Sequence, residues 1–357
     1  MSALPLPIEL AGITRDWLEA ALRQRAPEVV LRGFEIVDVN HGTCTKVRLR
    51  LACEGGAVPE LVILKGGFEP HSRSMPYMHQ EEVHGYADVA PHSPLRLPTC
   101  HFAGFDAVAG QGIVIMDDLV ARGVEFCHAQ RPQSPEAVAR RLRMLARHHA
   151  LSWAPDGASG DFAPLGRFAW ASGYMAGFTH FGTLLTPDVW QSYCRSARGA
   201  ALSTRFHSLD WMKQAIVRMQ RFDAMLPQAL LHGDTHLGNL YVDIDGEPGF
   251  FDSLPHRGNP MLEVAYHLTC ALDPADRRAH DRDLVGLYRA ELLAQGVAAP
   301  THEEMMHLFA CFLPAGTCVF LLNASEFQPE AIKTAYTARF SAAMLDHDTL
   351  ARLDALA

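Results

Sequence analysis

The sequence predicts an α+β fold in two lobes, a small antiparallel-sheet lobe over residues 1–118 and a larger, mainly helical lobe over residues 119–357. Three observations predict it. A chain of 357 residues exceeds the usual size of one hydrophobic core, so it is expected to divide. Up to Met116 the apolar residues alternate or run in short blocks between small-residue turns, the pattern of strands. Beyond Leu119 they recur at helical spacing, the pattern of helices with one buried face.

The elements follow in order. Residues 14–25 read as an amphipathic helix, with Trp17, Leu18, Ala21 and Leu22 on one face. Residues 34–39 read as a strand, 40–45 as a turn of small and polar residues, and 46–51 as a second, alternating strand. Residues 61–67 form an apolar strand with Lys65 near its end, and a helix containing 78–89 follows. The buried strand 112–116 comes next, and Asp117-Asp118-Leu119 leaves it. In the second lobe residues 135–152 make a strong helix, with proline near its start and Val138, Leu142, Leu145, Ala146 and His149 on one face. Helical segments are expected around 174–185, 187–199 and 209–225, and from Leu262 to the C-terminus.

Composition narrows the partners. Hydrophobic residues make up 48% of the chain without low-complexity tracts, as in a globular protein. A net charge of −9 argues against a nucleic-acid footprint and is compatible with a cationic ligand. Eight cysteines without a C-x-x-C pair read as reduced thiols of a cytoplasmic protein. Residues 1–10 show neither the basic nor the long apolar segment of a signal peptide, and no apolar run is expected to reach the length of a membrane span. Lysine occurs only at 46, 65, 213 and 333, so the position of each is informative.

The most informative stretch is residues 230–240, Leu-Leu-His-Gly-Asp-Thr-His-Leu-Gly-Asn-Leu. It sets Asp234 and Asn239 five residues apart between apolar anchors. A second acid, Asp252, follows the apolar run Gly249-Phe250-Phe251, thirteen residues after Asn239. Between them two short apolar runs flank Asp243-Ile244-Asp245-Gly246-Glu247-Pro248, whose Asp, Gly and Pro predict a β-hairpin. Pairing Val242 with Gly249 would set Asn239 opposite Asp252, within reach of one ion. Magnesium takes oxygen ligands and keeps several waters, so an amide, an acid and nucleotide phosphates suffice. An acid to orient a hydroxyl, with an amide and an acid to hold the metal, is what phosphoryl transfer asks of a protein. The spacing of Asp234 to Asn239 is that of the kinase loop H-R-D-x-x-x-x-N, with Gly233 in place of arginine.

On these residues the chain resembles the protein-kinase-like phosphotransferases of small molecules: aminoglycoside phosphotransferases, choline kinases and the ecdysteroid kinase-like group. The last is nearest in pattern, through the long apolar catalytic loop and its Phe-Phe-Asp ending. The resemblance implies a bilobal protein-kinase-like fold, ATP as co-substrate bound in the cleft between the lobes, Mg²⁺, and a small-molecule hydroxyl acceptor. It implies that Lys65 grips the α- and β-phosphates and that Glu82, or its neighbour Glu81, pairs with the lysine. Met116, Asp117, Asp118 and Leu119 would form the hinge whose backbone meets the adenine, and Gly42 and Thr43 would lie in the phosphate loop. Asp234 matches the catalytic acid, Asn239 and Asp252 the metal ligands, and His232 the residue that braces the loop. Two features depart from the pattern. Residues 40–43 hold one glycine where a Gly-rich loop is usual, and Ser253-Leu254 follow the metal acid where protein kinases have Phe-Gly.

Other readings of the same residues stay open. Lys65 could end a strand with its head in water. His232 and His236 have zinc-ligand spacing only on a helix, whereas Gly233 and Gly238 indicate a loop, which makes a metallohydrolase remote. Trp170, Tyr174, Phe178 and Phe181 lie at helical spacing, either as core or as the lining of an acceptor pocket. Glu263 reads as a helix N-terminal acid favoured by the dipole. A protein kinase would need an activation segment ending in Ala-Pro-Glu, which does not follow Asp252. The expected activity is Mg²⁺-dependent transfer of the γ-phosphoryl of ATP to a hydroxyl of an aminoglycoside-, choline- or steroid-like molecule. The alternative is a catalytically silent, nucleotide-binding pseudokinase scaffold.

Overall fold

The computed structural model describes residues 4–356 apart from 43, 156–160, 163–165, 168–170, 172, 180–181, 183–184 and 323–327. By packing, the chain forms two compact units, Met1–Glu125 with Val242–Pro255, and Phe126–Tyr241 with His256–Ala357. The single cut between residues 118 and 119 expected from the sequence does not anticipate the return of Val242–Pro255 to the first unit.

The first unit is built on an antiparallel sheet of β1 (Val30–Asn40), β2 (Thr45–Glu54), β3 (Leu61–Gly66), β4 (Cys100–Asp106) and β5 (Gln111–Asp117), in the order β1-β2-β3-β5-β4. β4 is absent from the sequence expectation, because Cys100-His101-Phe102-Ala103-Gly104 has neither a clean alternation nor a continuous apolar run. Alternation along the other strands gives the sheet two chemically different faces. Val47, Leu49, Leu51, Val62, Leu64, Ile113 and Ile115 pack with Leu18, Ala21 and Leu22 of helix α1 (Arg15–Leu22). Each of the Val, Leu and Ile side chains taken out of water contributes about 1.5–3 kcal/mol. Thr14 caps α1 by accepting the Trp17 amide.

The opposite face carries the odd residues of β3 and the even residues of β5. Ile63, Val114 and Met116 meet Val83 and Tyr86, from helix α2 (Pro76–His84) and the wider turn Gly85–Val89 that continues it. Gly85 allows a close approach here. A Cβ at this position would stand 3.0 Å from Pro255 Cδ and 3.1 Å from the Ser253 carbonyl. The segment after Asp252 is thereby laid against the end of α2.

The second unit is mainly helical, and its long helices among the described residues are Pro135–Ala150, Leu209–Asp223, Pro260–Ala271, Pro274–Ala294, His302–Leu322 and Glu330–Asp346. Ser134, Ser208, Asn259 and Asp273 cap four of them, and proline follows three of these caps at the first helical position. All twelve residues of Pro260–Ala271 are buried. His302–Leu322 is long and apolar enough to cross a membrane, with mean hydropathy 1.9, which corrects the expectation that no run reaches that length. The burial of 89% of that apolar window, against Pro260–Ala271 and Glu330–Asp346, accounts for its composition as core. None of the eight cysteines forms a disulfide.

Candidate active site

In the first unit β3 turns Lys65 onto the α2 face of the sheet, where its ammonium lies 2.6 Å from Glu82 Oε1 and 3.1 Å from Asp252 Oδ1. Glu81 and Glu82 are both buried, and of these two neighbouring acids on α2 it is Glu82 whose carboxylate bonds the buried Lys65 ammonium. Burial pushes the Lys65 ammonium toward its neutral form. The charges of Asp252 and Glu82 outweigh that and hold its pKa well above the usual value. Asp252 also lies 3.3 Å from Lys46 Nζ, and its amide donates to the Tyr86 hydroxyl at 3.2 Å. Its φ of 52° is left-handed, a conformation few non-glycine residues adopt and one that clusters at functional sites.

Asp252 reaches this position through the expected turn. Residues 240–242 and 248–250 are neighbouring strands, and the Asp243 amide donates to the Glu247 carbonyl at 2.9 Å. The Asp243 carboxylate is fully buried and bonded to Arg96 and Arg122, so this acidic turn is a brace. At the end of β5, Met116 is buried, and the side chains of the two acids that follow are committed to structure. Asp117 bonds His101 at 2.8 Å and accepts the Thr99 amide at 3.3 Å. Asp118 caps the turn Leu119–Arg122 and pairs with Arg48 at 2.7 Å. Gly42 lies in the β1–β2 turn, and Thr43 lies outside the described residues.

In the second unit the buried strand Ala229–Leu231 pairs with His256–Gly258 and delivers the chain to His232. Gly233 has φ 95°, which accounts for a glycine where the kinase loop has arginine. Glu263 reaches this turn from the first turn of Pro260–Ala271. It accepts the His232 amide at 3.0 Å and the Gly233 amide at 2.8 Å, and it bonds His149 Nε2 at 2.9 Å. The other nitrogen of His149 is 2.7 Å from the Tyr288 hydroxyl. Burial raises the Glu263 carboxyl, but the bond and charge of His149 and the Gly233 amide outweigh it and leave the pKa at about 2.

Above this brace, Asp234 Oδ2 accepts from Asn239 Nδ2 at 2.9 Å and Oδ1 accepts from the Tyr266 hydroxyl at 3.1 Å. Asn239 Nδ2 also donates to the Asp234 carbonyl at 3.0 Å, so the amide oxygen is directed elsewhere. The Asp234 side chain is 30% exposed, oriented yet reachable. Asn239 and Asp252 each offer an oxygen, the donor type that suits Mg²⁺. His232 is buried, and its Nδ1 takes a long contact of 3.4 Å from the Asp234 amide. His236 accepts the Gly238 amide at 2.9 Å and packs edge-on to Tyr266 and Phe320. Among the described residues no group of three or more His, Cys, Asp and Glu side chains is arranged to hold a metal, so a zinc site on these two histidines has no ligand set. Of the aromatic stripe, Trp170 and Phe181 lie outside the described residues. Tyr174 and Phe178 pack with ring centroids 5.6 Å apart, and Phe178 is buried.

Solved structures similar to this chain include small-molecule phosphotransferases. Choline kinase from Cryptosporidium parvum Iowa II superposes with a TM-score of 0.55 at 10% identity, covering 94% of this chain and 95% of that chain. A candidate aminoglycoside phosphotransferase from Ralstonia eutropha JMP134 gives 0.52 at 16% identity, covering 94% and 97%. Choline kinase LicA, known from Streptococcus pneumoniae, gives 0.50 at 9% identity in its complex with AMP, covering 96% and 99%. At these identities the likeness shows the fold alone, the α+β fold of protein-kinase-like phosphotransferases. A sequence profile of the ecdysteroid kinase-like family matches residues 92–296, more than half of the 357-residue chain. The chain belongs to that family. No curated protein matches it in sequence.

Several residues around the candidate site escaped the sequence reading. Glu263 reads from the sequence as a dipole acid, yet it is the one acid of a mostly apolar helix, a signal that it must meet a buried donor. Tyr266 is three residues on, the spacing that puts both on one helix face. Lys46 carried a signal too, as one of only four lysines. Tyr86 and Tyr288 carried none, and His149 was legible only as a residue of the apolar helix face, because their contacts come from chain-distant elements.

Proposed function

We propose that this protein transfers the γ-phosphoryl of ATP, with Mg²⁺, to a hydroxyl of a small molecule. The observation that carries the reading is the buried Lys65–Glu82 pair with Asp252 3.1 Å from the same ammonium. A buried ion pair of this kind is weak evidence for stability, since apolar residues of similar volume often serve as well. A polyanionic ligand gives it a purpose. Membership of the ecdysteroid kinase-like family and a fold shared with a kinase that binds AMP support the same reading.

In this reading Lys65 grips the phosphates, Asp252 and Asn239 hold Mg²⁺, and the backbone of Met116, Asp117, Asp118 and Leu119 meets the adenine. Gly42 and Thr43 approach the phosphates, and His232 braces the loop. Asp234 orients the acceptor hydroxyl and accepts its proton as the phosphoryl group leaves ATP. Mg²⁺, when bound, neutralises phosphate charge. The protein's own contribution is positioning and fixed charge, as a loose phosphoryl-transfer transition state requires. A cytoplasmic setting belongs to the same proposal, since ATP is the donor.

A screen of ADP release over aminoglycosides, choline-like amines, sterols and sugars tests the activity and finds the acceptor class. The net charge of −9 is compatible with an amine-bearing acceptor, and the aromatic pair Tyr174–Phe178 with a lipophilic alcohol. Release that depends on an acceptor and is lost in Asp234→Asn supports the assignment. A signal that survives undiminished in that variant removes Asp234 from its role. Mg²⁺-dependent ATP binding with no turnover on any acceptor selects the pseudokinase scaffold instead.

A further inference from the structure

Of the lysines in the first unit, the proposed reaction uses Lys65 and leaves Lys46 without a task. β2 pairs with β3 so that Lys46 stands directly opposite Lys65, on the same face of the sheet. Like charges directly opposite one another destabilise a strand pair. Lys46 is also free to avoid the conflict, since its side chain is 43% exposed. Instead its ammonium lies 3.3 Å from Asp252 Oδ2, while that of Lys65 lies 3.1 Å from Oδ1 of the same carboxylate. Lys65 has a second carboxylate, Glu82, at 2.6 Å, whereas Asp252 is the one acid that Lys46 pairs with among the described residues.

The four groups balance as two ammoniums against two carboxylates. The balance fails when Asp252 turns to a divalent cation, and Lys46 is the member left without a counter-charge. A polyphosphate restores it.

The turn that precedes Lys46 points the same way. A glycine-rich phosphate loop works by letting backbone amides approach the phosphates closely. Among residues 40–43 only Gly42 is glycine, and its surroundings do not require one. Its φ is not left-handed, and a Cβ there would meet only the Cys44 carbonyl, at an ordinary 3.7 Å. The turn is tied to the segment beyond β3. His41 Nδ1 and Thr45 Oγ1 lie 2.6 and 2.7 Å from Glu69 Oε1, and His71 Nε2 lies 3.1 Å from the Gly42 carbonyl. What this strand–turn–strand presents beside Lys65 is a compact ammonium on a flexible stem, suited to follow a phosphate group.

We infer that Lys46 is a second phosphate-binding cation, directed at the terminal phosphate and serving where a glycine-rich loop is missing. This rests on the ATP reading above. Binding of ATP, ADP and adenosine to the whole chain is measured by calorimetry for wild type, Lys46→Met, Lys46→Arg and Lys65→Met, with Mg²⁺ and again with EDTA. Thermal melting serves as the folding control. Loss of one charge-assisted contact is expected to weaken ATP binding by roughly tenfold in Lys46→Met. ADP should lose less, adenosine nothing, and Lys46→Arg should recover most of the loss. In EDTA, where Asp252 keeps its hold on Lys46, the difference between ATP and ADP should narrow. Equal weakening of ATP and ADP, the outcome if Lys46 only positions Asp252, overturns the inference, as does unchanged ATP affinity. If wild type binds no nucleotide and Lys65→Met changes nothing, the ATP reading itself falls and takes the inference with it.

Discussion

Asp252 in the first unit sits between two ammonium groups, 3.1 Å from Lys65 and 3.3 Å from Lys46. Asp234 in the second unit is held mainly by neutral donors, the Asn239 amide at 2.9 Å and the Tyr266 hydroxyl at 3.1 Å. Burial raises the Asp252 carboxyl, but the charges of Lys46 and Lys65 overcome it and hold the group well below the usual carboxylate range. The difference suits the two proposed tasks. A group that must meet a cation and a polyanion gains from being fixed as an anion whose partners can exchange. A group that must take a proton would lose basicity beside a fixed ammonium, so amide and hydroxyl donors aim it instead.

The largest effect expected from breaking this contrast is on turnover. Asp234→Asn keeps the size of the side chain and a hydrogen-bonding group for both Asn239 and Tyr266, while removing the proton acceptor. Turnover should fall by about 10²–10⁴-fold, the usual contribution of a positioned acid or base, with ATP affinity unchanged in the same preparation. A comparable loss of ATP affinity would show that Asp234 belongs with the phosphate-binding groups and that the contrast is drawn in the wrong place.

Next in size is Lys65→Met. It leaves Glu82 and Asp252 facing each other without the buried cation, and urea unfolding should report a loss of about 3–5 kcal/mol. Pairing it with Glu82→Leu should recover a large part, because an apolar pair of similar volume is tolerated where an unpaired buried charge is not. Failure of the double variant to recover would mean that the cost lies in packing and not in charge.

The second unit has its own buried charge, in the brace below the loop. The Glu263 carboxyl moves from its ordinary 4.5 to about 2 on folding, because the His149 bond and the Gly233 amide outweigh burial. A depressed carboxyl stabilises the fold fully above pH 4.5, and the contribution disappears as the pH falls toward 2. It corresponds to about 3 kcal/mol. Glu263→Gln should therefore be less stable than wild type at pH 7, with the gap closing below pH 4.5. A gap that stays constant with pH would assign the loss to geometry alone. His148 and His267, lowered by burial to about 3 and about 4, act in the same direction, so wild type should lose stability as the pH falls from 6.5.

How much of this was legible in the sequence follows from how each contact is made. The Asp234–Asn239 spacing, the turn before Asp252 and the strand of Lys65 are local patterns, and the structure holds them as local elements. Gly233 was legible as a departure, and its φ of 95° supplies the reason. β4 was not legible because its partner β5 imposes the strand on a sequence with weak alternation. The loop contacts of Glu263 are hidden from the sequence for a different reason. Its place in the first turn of a helix satisfied the dipole argument, and the two loop amides it accepts lie thirty residues earlier in the chain. A pattern confined to one element does not show what that element packs against.

The smallest effect, and the finest test of the contrast, is Tyr266→Phe. The ring stacks nearly parallel on Phe320, with centroids 5.6 Å apart, and phenylalanine keeps that packing. Only the hydroxyl that donates to Asp234 Oδ1 is lost. Because the Asp234 side chain is 30% exposed, water can take the vacated position. Stability should therefore fall by no more than about 0.5–1.5 kcal/mol. Aim is harder for water to replace than hydrogen bonding, since a water molecule is not fixed to a helix that also carries Glu263. Turnover should accordingly drop by about tenfold at unchanged KM for ATP, a split that a purely structural role would not produce. Unchanged turnover would mean that Asn239, with His236 Nε2 at 3.5 Å, orients the acid without the Tyr266 hydroxyl.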